Sequence, residues 1–196
     1  GYFEVVNYSF IGEKWFDDLL IPANDTLRNV VKLLNPISED MAVLRTFLLP
    51  SLLENARNNF NYKVQDIKIF EIRRVYNANS ESSLPEERRH VAGLIMGENA
   101  FAYNFRPRPF DFFDIKGDVE GICELMAVPD VRFMRPDPVP PFLHPGICAE
   151  IRVQDHVIGL TGKLNPLVAD SLKIDENIYL FELDLELLNQ YVATLQ

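Results

Sequence analysis

The chain has 196 residues, of which 47% are hydrophobic and 24% are charged, proportions typical of an ordinary globular domain. Its formal net charge of -10 argues against nucleic-acid binding as the main role, because phosphates require a basic face. The two cysteines, Cys123 and Cys148, lie in no CxxC pair, so we expect neither a disulfide framework nor a zinc site. No apolar run approaches the roughly 20 residues that span a bilayer, so we expect no membrane association.

The first 60 residues predict two strands, a short helix and a longer helix. Residues 2–10 are rich in valine, tyrosine and phenylalanine and predict a strand. Residues 13–20 predict a short helix, and the apolar residues 30–34 predict a second strand. Pro50 then opens a helix from its first turn, where the missing N–H costs nothing. The apolar stripe of this helix comprises Leu52, Leu53, Ala56 and Phe60.

The middle of the chain predicts a strand–loop–strand unit followed by a helix. Residues 66–76 and 89–96 are the two strands, and the polar residues 77–88 between them are predicted to form a loop. Asp111 or Asp114 can cap the helix that follows. The buried side of that helix has a spacing of three and four residues: Ile115, Val119, Ile122 and Met126.

The last third predicts an irregular segment and then further strands and helices. Residues 129–145 hold six of the 13 prolines, which indicates irregular or edge structure. Strands are predicted at residues 147–153 and 157–160. A helix capped by Asn165 is predicted over residues 165–172, and a last strand over residues 178–183. Asp184 can cap a final helix. Because the strands come in adjacent groups without strict alternation with helices, we expect a single α+β domain over residues 1–196, with an antiparallel sheet flanked by helices.

Few residues in the sequence suggest chemistry. No glycine-rich phosphate loop is present, and the three histidines lack the spacing of metal ligands. The charged run 86–89 indicates a solvated face. Phe110, Phe112 and Phe113 cannot all face one core from the start of a helix. An exposed aromatic cluster indicates a partner contact, and the alternative is that all three rings belong to the core.

Several short motifs along the chain together resemble one family. They are NPISEDM (35–41), LRT (44–46), LLPSLL (48–53), FEI (70–72), LPEERRH (84–90), FFDIKGDVE (112–120), LHPG (143–146) and FELD (181–184). In this order and spacing they resemble the catalytic-like module of the beta subunit of bacterial-type phenylalanyl-tRNA synthetase. Each motif is weak alone, whereas the ordered set is specific and covers essentially the whole chain.

The resemblance implies the class II aminoacyl-tRNA synthetase fold, an antiparallel sheet flanked by helices. It also implies that the chain is a fragment of a longer beta subunit in a cytoplasmic α2β2 enzyme, which joins phenylalanine to its tRNA using ATP and magnesium. In such an enzyme the alpha subunit does the chemistry. The implied partners are therefore the catalytic alpha subunit and, in the full complex, tRNA. We further expect the strands around Ile69, Val91 and Leu180 to be neighbours.

Five positions depart from the active-site pattern that the resemblance implies. Asn77 stands where an arginine would contact the ATP α-phosphate, and Ala92 stands where the catalytic subunit has a glutamate. Glu182 and Asp184 occupy positions of a glycine-rich strand, and Leu187 stands where a second arginine would hold ATP. We therefore expect this domain to be catalytically inactive, with no catalytic, cofactor-binding or metal-binding residues of its own.

Two other functions compete with this interpretation. A stand-alone ATP-dependent ligase of the class II type would need the missing arginines and glycines. A nucleic-acid-binding module that contacts tRNA would need a stacking and phosphate patch, for which the candidates are Phe105, Arg106, Arg108, Arg132, Phe133 and Arg135. Nucleotide titration tests the first alternative, and an RNA gel shift tests the second.

Overall fold

The computed structural model describes residues 1–79, 84–99 and 106–192. Its strands are β1 (Phe3–Glu4), β2 (Phe10–Ile11), β3 (Val43–Leu44), β4 (Ile67–Asn77), β5 (Glu86–Met96), β6 (Val131–Met134), β7 (Leu143–Val153), β8 (His156–Leu164) and β9 (Ile178–Asp184). Its α-helices are α1 (Lys14–Asp18), α2 (Leu49–Asn61), α3 (Phe112–Leu125), α4 (Pro166–Leu172) and α5 (Leu185–Gln190).

A seven-stranded sheet organises the described part of the chain, in the order β1-β4-β5-β9-β8-β7-β6. Every neighbouring pair is antiparallel except β1 and β4, which are parallel. Ile69 lies opposite Leu94 of β5, and Leu94 lies opposite Leu180 of β9. The predicted neighbourhood of these three strands, and the antiparallel α+β fold, are therefore confirmed.

Side chains alternate between the two faces of the sheet and build two separate cores. On the first face, which we name the α2 face, Ile69, Leu94 and Leu180 pack with the buried side of α2. On the opposite face, which we name the α3 face, Val91 and Phe181 pack with the buried side of α3. Any surface feature of the sheet can thus be assigned to one face by its position in the strand.

The helix starts follow the sequence signals. Pro50 lies in the first turn of α2, as predicted. Asp111 and Asp114 form a reciprocal capping box at α3, so the two predicted candidates act together. Asn165 caps α4 and Asp184 caps α5 through backbone N–H groups of the first turn. Local capping chemistry therefore fixes three of these helix starts.

Two predicted strands near the N-terminus are wrong in extent. The predicted strand 2–10 is divided into β1 and the beginning of β2, because Asn7 between them bonds to the Glu71 side chain instead of a strand backbone. The predicted strand 30–34 is reduced to a single bridge between Lys32 and Val43. Both segments contribute side chains to the α2-face core, which explains their strand-like apolar composition.

The strand–loop–strand unit has longer strands than predicted. β4 continues to Asn77 and β5 begins at Glu86, so the two strands pair in register over eleven residues each. A diagonal ion pair joins Arg74 to Glu87 near the end of this hairpin. The centre of the predicted loop, residues 80–83, lies outside the described residues. In the proline-rich segment, β6 forms at the edge of the sheet, in agreement with the predicted edge structure.

The sequence predicts no disulfide framework, no metal site and no membrane association. Cys123 is buried and Cys148 is half-buried, and both are free thiols. Within residues 1–79, 84–99 and 106–192, no group of three or more histidine, cysteine, aspartate or glutamate side chains is placed to hold a metal ion. Over the same residues, no helix combines the length and apolar character needed to cross a membrane.

Candidate functional site

Three of the five departing positions line one cavity on the α2 face. Glu182 and Asp184 of β9 and Leu187 of α5 border a cavity of about 340 Å³, together with His90 of β5. Ala92 lies opposite Glu182 in the strand register, within the same region. Asn77 is at the far end of β4 and does not line this cavity. The structure thus brings four of the five positions together and leaves Asn77 apart.

Glu182 connects the sheet to the start of α2. Its side chain is buried, and both carboxylate oxygens accept the backbone N–H of Leu48 at 3.0 Å. Leu48 is the residue that precedes α2, where the helix leaves unsatisfied N–H groups and a partial positive charge. A carboxylate at a position where the resemblance implies a glycine therefore has a structural partner inside the chain.

His90 completes this contact from the neighbouring strand. Its Nδ1 lies 2.7 Å from Glu182 Oε1. Burial lowers the pKa of His90, but the hydrogen bond to Glu182 and the charges of Glu182 and Asp184 outweigh it, so the pKa lies above its ordinary value. The raised pKa favours the imidazolium form more than in a free histidine, and in that form Nδ1–H donates a hydrogen bond to the carboxylate.

Asp184 also has partners within the chain. One oxygen accepts the N–H groups of Glu186 and Leu187, which caps α5. The other accepts Arg88 at 2.7 Å, and Arg88 makes a second ion pair with Glu86. Asp184 therefore connects β9, α5 and the end of β5 through contacts within the chain.

The lining of the α2-face cavity is acidic and apolar. Its charged groups are Glu150, Glu182, Asp184 and His90, and most of the other lining side chains are apolar. Among the described residues that line it there is neither lysine nor arginine. A nucleotide triphosphate in this position would face carboxylates, and no guanidinium or ammonium group among the described lining residues would balance its charge.

A buried ion pair that the sequence analysis did not single out lies on the same face. Arg45 Nη1 lies 3.0 Å from Glu71 Oε1, and both side chains have 0% exposure. Glu71 also accepts the backbone N–H and the side-chain amide of Asn7, while Arg45 Nε donates to the carbonyl of Arg74. A signal for this pair was present in the sequence. Arg45 lies beside Leu44 in the motif LRT, and Glu71 lies between two apolar residues in the motif FEI.

The aromatic cluster at the start of α3 is divided between core and surface. Phe110 is 3% exposed and packs in the α3-face core, so the prediction that it is a partner contact is wrong. Phe112 is half-buried against the same core. Phe113 is 75% exposed and points away from the core. Of the three rings, Phe113 offers the largest surface to a partner.

The predicted nucleic-acid patch is weakened by its own acidic neighbours. Arg108 forms ion pairs with Asp114 at 2.6 Å and with Asp111 at 3.5 Å. Phe133 has Lys116 above its ring at 4.4 Å. Arg106, Arg132 and Arg135 are exposed, and Phe105 lies outside the described residues. The acidic start of α3 therefore neutralises Arg108, one member of the predicted patch.

Comparison with known proteins gives consistent matches. The chain matches the family model of the phenylalanyl-tRNA synthetase beta chain CLM domain over residues 1–185. It is 37% identical over 187 residues to the phenylalanine–tRNA ligase beta subunit of Geobacter metallireducens, an alignment that covers 95% of this chain and 23% of that subunit. It is 36% identical over 194 residues to the corresponding subunit of Clostridium acetobutylicum, covering 98% of this chain and 23% of that subunit.

The similarity to solved structures extends to the fold. The crystal structure of pyrrolysyl-tRNA synthetase from Desulfitobacterium hafniense superimposes with a TM-score of 0.70 and 16% sequence identity. The match covers 96% of this chain and 62% of that chain. At this identity the similarity establishes a class II synthetase-like fold and no shared activity. The chain itself spans about a quarter of the length of the beta subunits that it matches.

Proposed function

Since the chain belongs to the family of the phenylalanyl-tRNA synthetase beta chain CLM domain, we propose that it is a non-catalytic module of such a beta subunit. Its role is structural: it supports a catalytic alpha subunit that charges tRNA with phenylalanine in an ATP-dependent reaction. The site of action is the cytoplasm. ATP and magnesium act in the alpha subunit, and this module binds neither.

The observation that carries this proposal is the internal use of Glu182, Asp184 and His90 at the α2-face cavity. Glu182 bonds to Leu48 and His90, and Asp184 bonds to Arg88 and the start of α5. These contacts tie α2, β5, β9 and α5 into one unit. A site that had to release these groups to a nucleotide would lose the fold contacts that they make. The same sheet face that holds a nucleotide in a catalytic class II domain thus serves here as a scaffold.

Calorimetric titration with Mg-ATP tests the catalytic inactivity. The 196-residue chain is expected to give no saturable heat, since a phosphate site without two arginines is weaker by about 1.5–3 kcal/mol for each lost charged hydrogen bond. Two such losses correspond to roughly 10²–10⁴-fold in affinity. An intact α2β2 synthetase is the positive control. A saturable isotherm with a micromolar constant for the chain alone would contradict the proposal.

The exposed ring of Phe113 supports a contact with the alpha subunit or with another part of the beta subunit. Phe113→Ser should leave the fold intact, because the ring is 75% exposed, but it should weaken co-purification with the alpha subunit. Leu34→Ser is the matched control, because Leu34 is 98% exposed and far from α3 in sequence. If both variants retain the alpha subunit equally well, Phe113 is not part of that interface.

A further inference from the structure

A cluster of arginines lies at the end of the β4–β5 hairpin, away from the α2-face cavity. β9 pairs with β5 only from His90 to Met96, so the hairpin continues beyond the main sheet. A surface cavity of about 590 Å³ lies there. We name its lining the arginine patch: Ser9, Ile72, Arg73, Arg74, Tyr76 and Arg89. No lining residue of this patch is a carboxylate.

Two of these arginines lie directly opposite each other in the strand register. Arg74 and Arg89 are direct partners in the β4–β5 ladder, so their side chains leave the sheet on the same side. Arg74 is two residues from Ile72, which places the pair on the α3 face, opposite the acidic cavity. Like charges directly opposite each other destabilise a sheet. An anion bound between the two guanidinium groups would remove this repulsion.

The neighbouring carboxylates neutralise the patch only in part. Arg74 pairs with Glu87 at 2.8 Å, and Arg73 lies 3.8 Å from Glu4. Within the described residues the guanidinium of Arg89 has no ion pair. The backbone N–H of Arg89, not its side chain, bonds to Glu186. The patch therefore keeps positive charge in a chain whose formal net charge is -10.

The side chains of the patch suit phosphate groups on a single-stranded nucleic acid. Guanidinium groups bind phosphate through two parallel hydrogen bonds, and the pair Arg74 and Arg89 can contact one phosphate from two sides. Arg73 lines the same cavity and is available to an adjacent phosphate. Tyr76 adds an aromatic ring, on which a base can stack whatever its identity.

We propose that the arginine patch binds the phosphate backbone of single-stranded RNA, with Tyr76 as a stacking platform. The inference does not depend on the proposed scaffold role, because it concerns a separate cavity lined by other residues and a different ligand. It also differs from the patch predicted from sequence, since it uses none of the same residues. The charged run 86–89, expected to be a solvated face, contributes Arg89 to this surface.

Fluorescence anisotropy with a labelled single-stranded RNA of about 12 nucleotides tests the proposal, using the 196-residue chain at low salt. The double variant Arg74→Gln and Arg89→Gln should bind at least about tenfold more weakly. The double variant Arg132→Gln and Arg135→Gln is matched in charge and should bind as the unmodified chain does. Circular dichroism should show that both variants are folded. Equal weakening in the two double variants, or no saturable binding by the unmodified chain, overturns the proposal.

The salt dependence adds an independent readout. For single strands the slope of log K against log salt falls by about 0.7 for each lost phosphate contact. The Arg74 and Arg89 double variant loses the one phosphate that the two guanidinium groups share, so its slope should be smaller by about 0.7. Inorganic phosphate added at constant ionic strength identifies the source of the phosphate group. Weak competition in the millimolar range supports recognition of the extended RNA backbone. Full displacement by micromolar inorganic phosphate would overturn RNA as the ligand and assign the patch to a free anion.

Discussion

On the α2 face, Glu182, His90 and Asp184 direct their hydrogen bonds to the chain itself, and the cavity beside them contains no lysine or arginine among its described lining residues. On the other face, at the end of the same hairpin, the guanidinium of Arg89 has no ion pair among the described residues and opposes Arg74. The two regions share strands β4 and β5 but differ in where their charges find partners. Charged groups that are satisfied internally indicate a structural role, whereas charges left exposed and opposed indicate an external ligand.

The comparison predicts the largest loss of stability at the buried ion pair of the α2 face. Arg45→Met leaves Glu71 buried without its cation, which should lower the free energy of unfolding by about 3–5 kcal/mol. Chemical denaturation in urea measures this loss. The double variant Arg45→Met and Glu71→Leu should recover much of the loss, because no unpaired charge remains. A double variant as unstable as the single one would show that packing, not charge pairing, dominates this site.

A smaller loss is expected at Glu182. Glu182→Gln keeps the shape of the side chain but removes the charge that His90 and the start of α2 share, and it should cost about 1–3 kcal/mol. Glu124→Gln is a matched control, since Glu124 is exposed on α3, and surface substitutions of this kind usually stay within about 0.5 kcal/mol. Equal changes in the free energy of unfolding for the two substitutions would mean that the charge of Glu182 does not stabilise the fold.

The pH dependence of stability sharpens the same comparison at His90. The pKa of His90 is raised in the folded chain, so its stabilising contribution is fully present below the unfolded value of 6.5 and is lost as pH rises through the folded pKa. The free energy of unfolding should therefore fall between about pH 6 and the alkaline side of the folded pKa. His90→Gln should flatten this decrease, whereas His156→Gln, at an exposed position outside the cluster, should retain it. An unchanged decrease in His90→Gln would assign the effect to other groups.

The extent of sequence prediction differs between local and long-range features. Capping residues such as Asp111 and Asn165 predict helix starts, because each acts within its own first turn. The order of the central strands followed from the family resemblance. The strand predicted over residues 30–34 is reduced to one bridge, because apolar composition does not distinguish strand pairing from burial of side chains in a core.

The candidate sites were predictable only in part, for the same reason. The resemblance identified Glu182, Asp184 and Leu187 as departures from the active-site pattern, and these three line one cavity. Their partners were not predicted, because Leu48 and Glu182 are separated by 134 positions in sequence. The opposition of Arg74 and Arg89 depends on the register of β4 and β5, which composition does not determine.

The smallest effect is expected at Arg89, and its sign is opposite to that of the others. Because Arg89 faces Arg74 and its guanidinium has no ion pair among the described residues, Arg89→Gln removes a repulsion and no attraction. The free energy of unfolding should rise by about 0.2–1 kcal/mol, the range measured for cross-strand pairs. RNA binding should weaken in the same variant.

Arg74→Gln is the informative comparison, because it removes the same repulsion but also the ion pair with Glu87, so its stability gain should be smaller. Urea denaturation of both variants at low salt measures the difference, and high salt should reduce it by screening. A loss of stability in Arg89→Gln would mean that this arginine stabilises the hairpin. It would contradict the inference that the charge of Arg89 is left for an external ligand, in contrast to the charges on the α2 face.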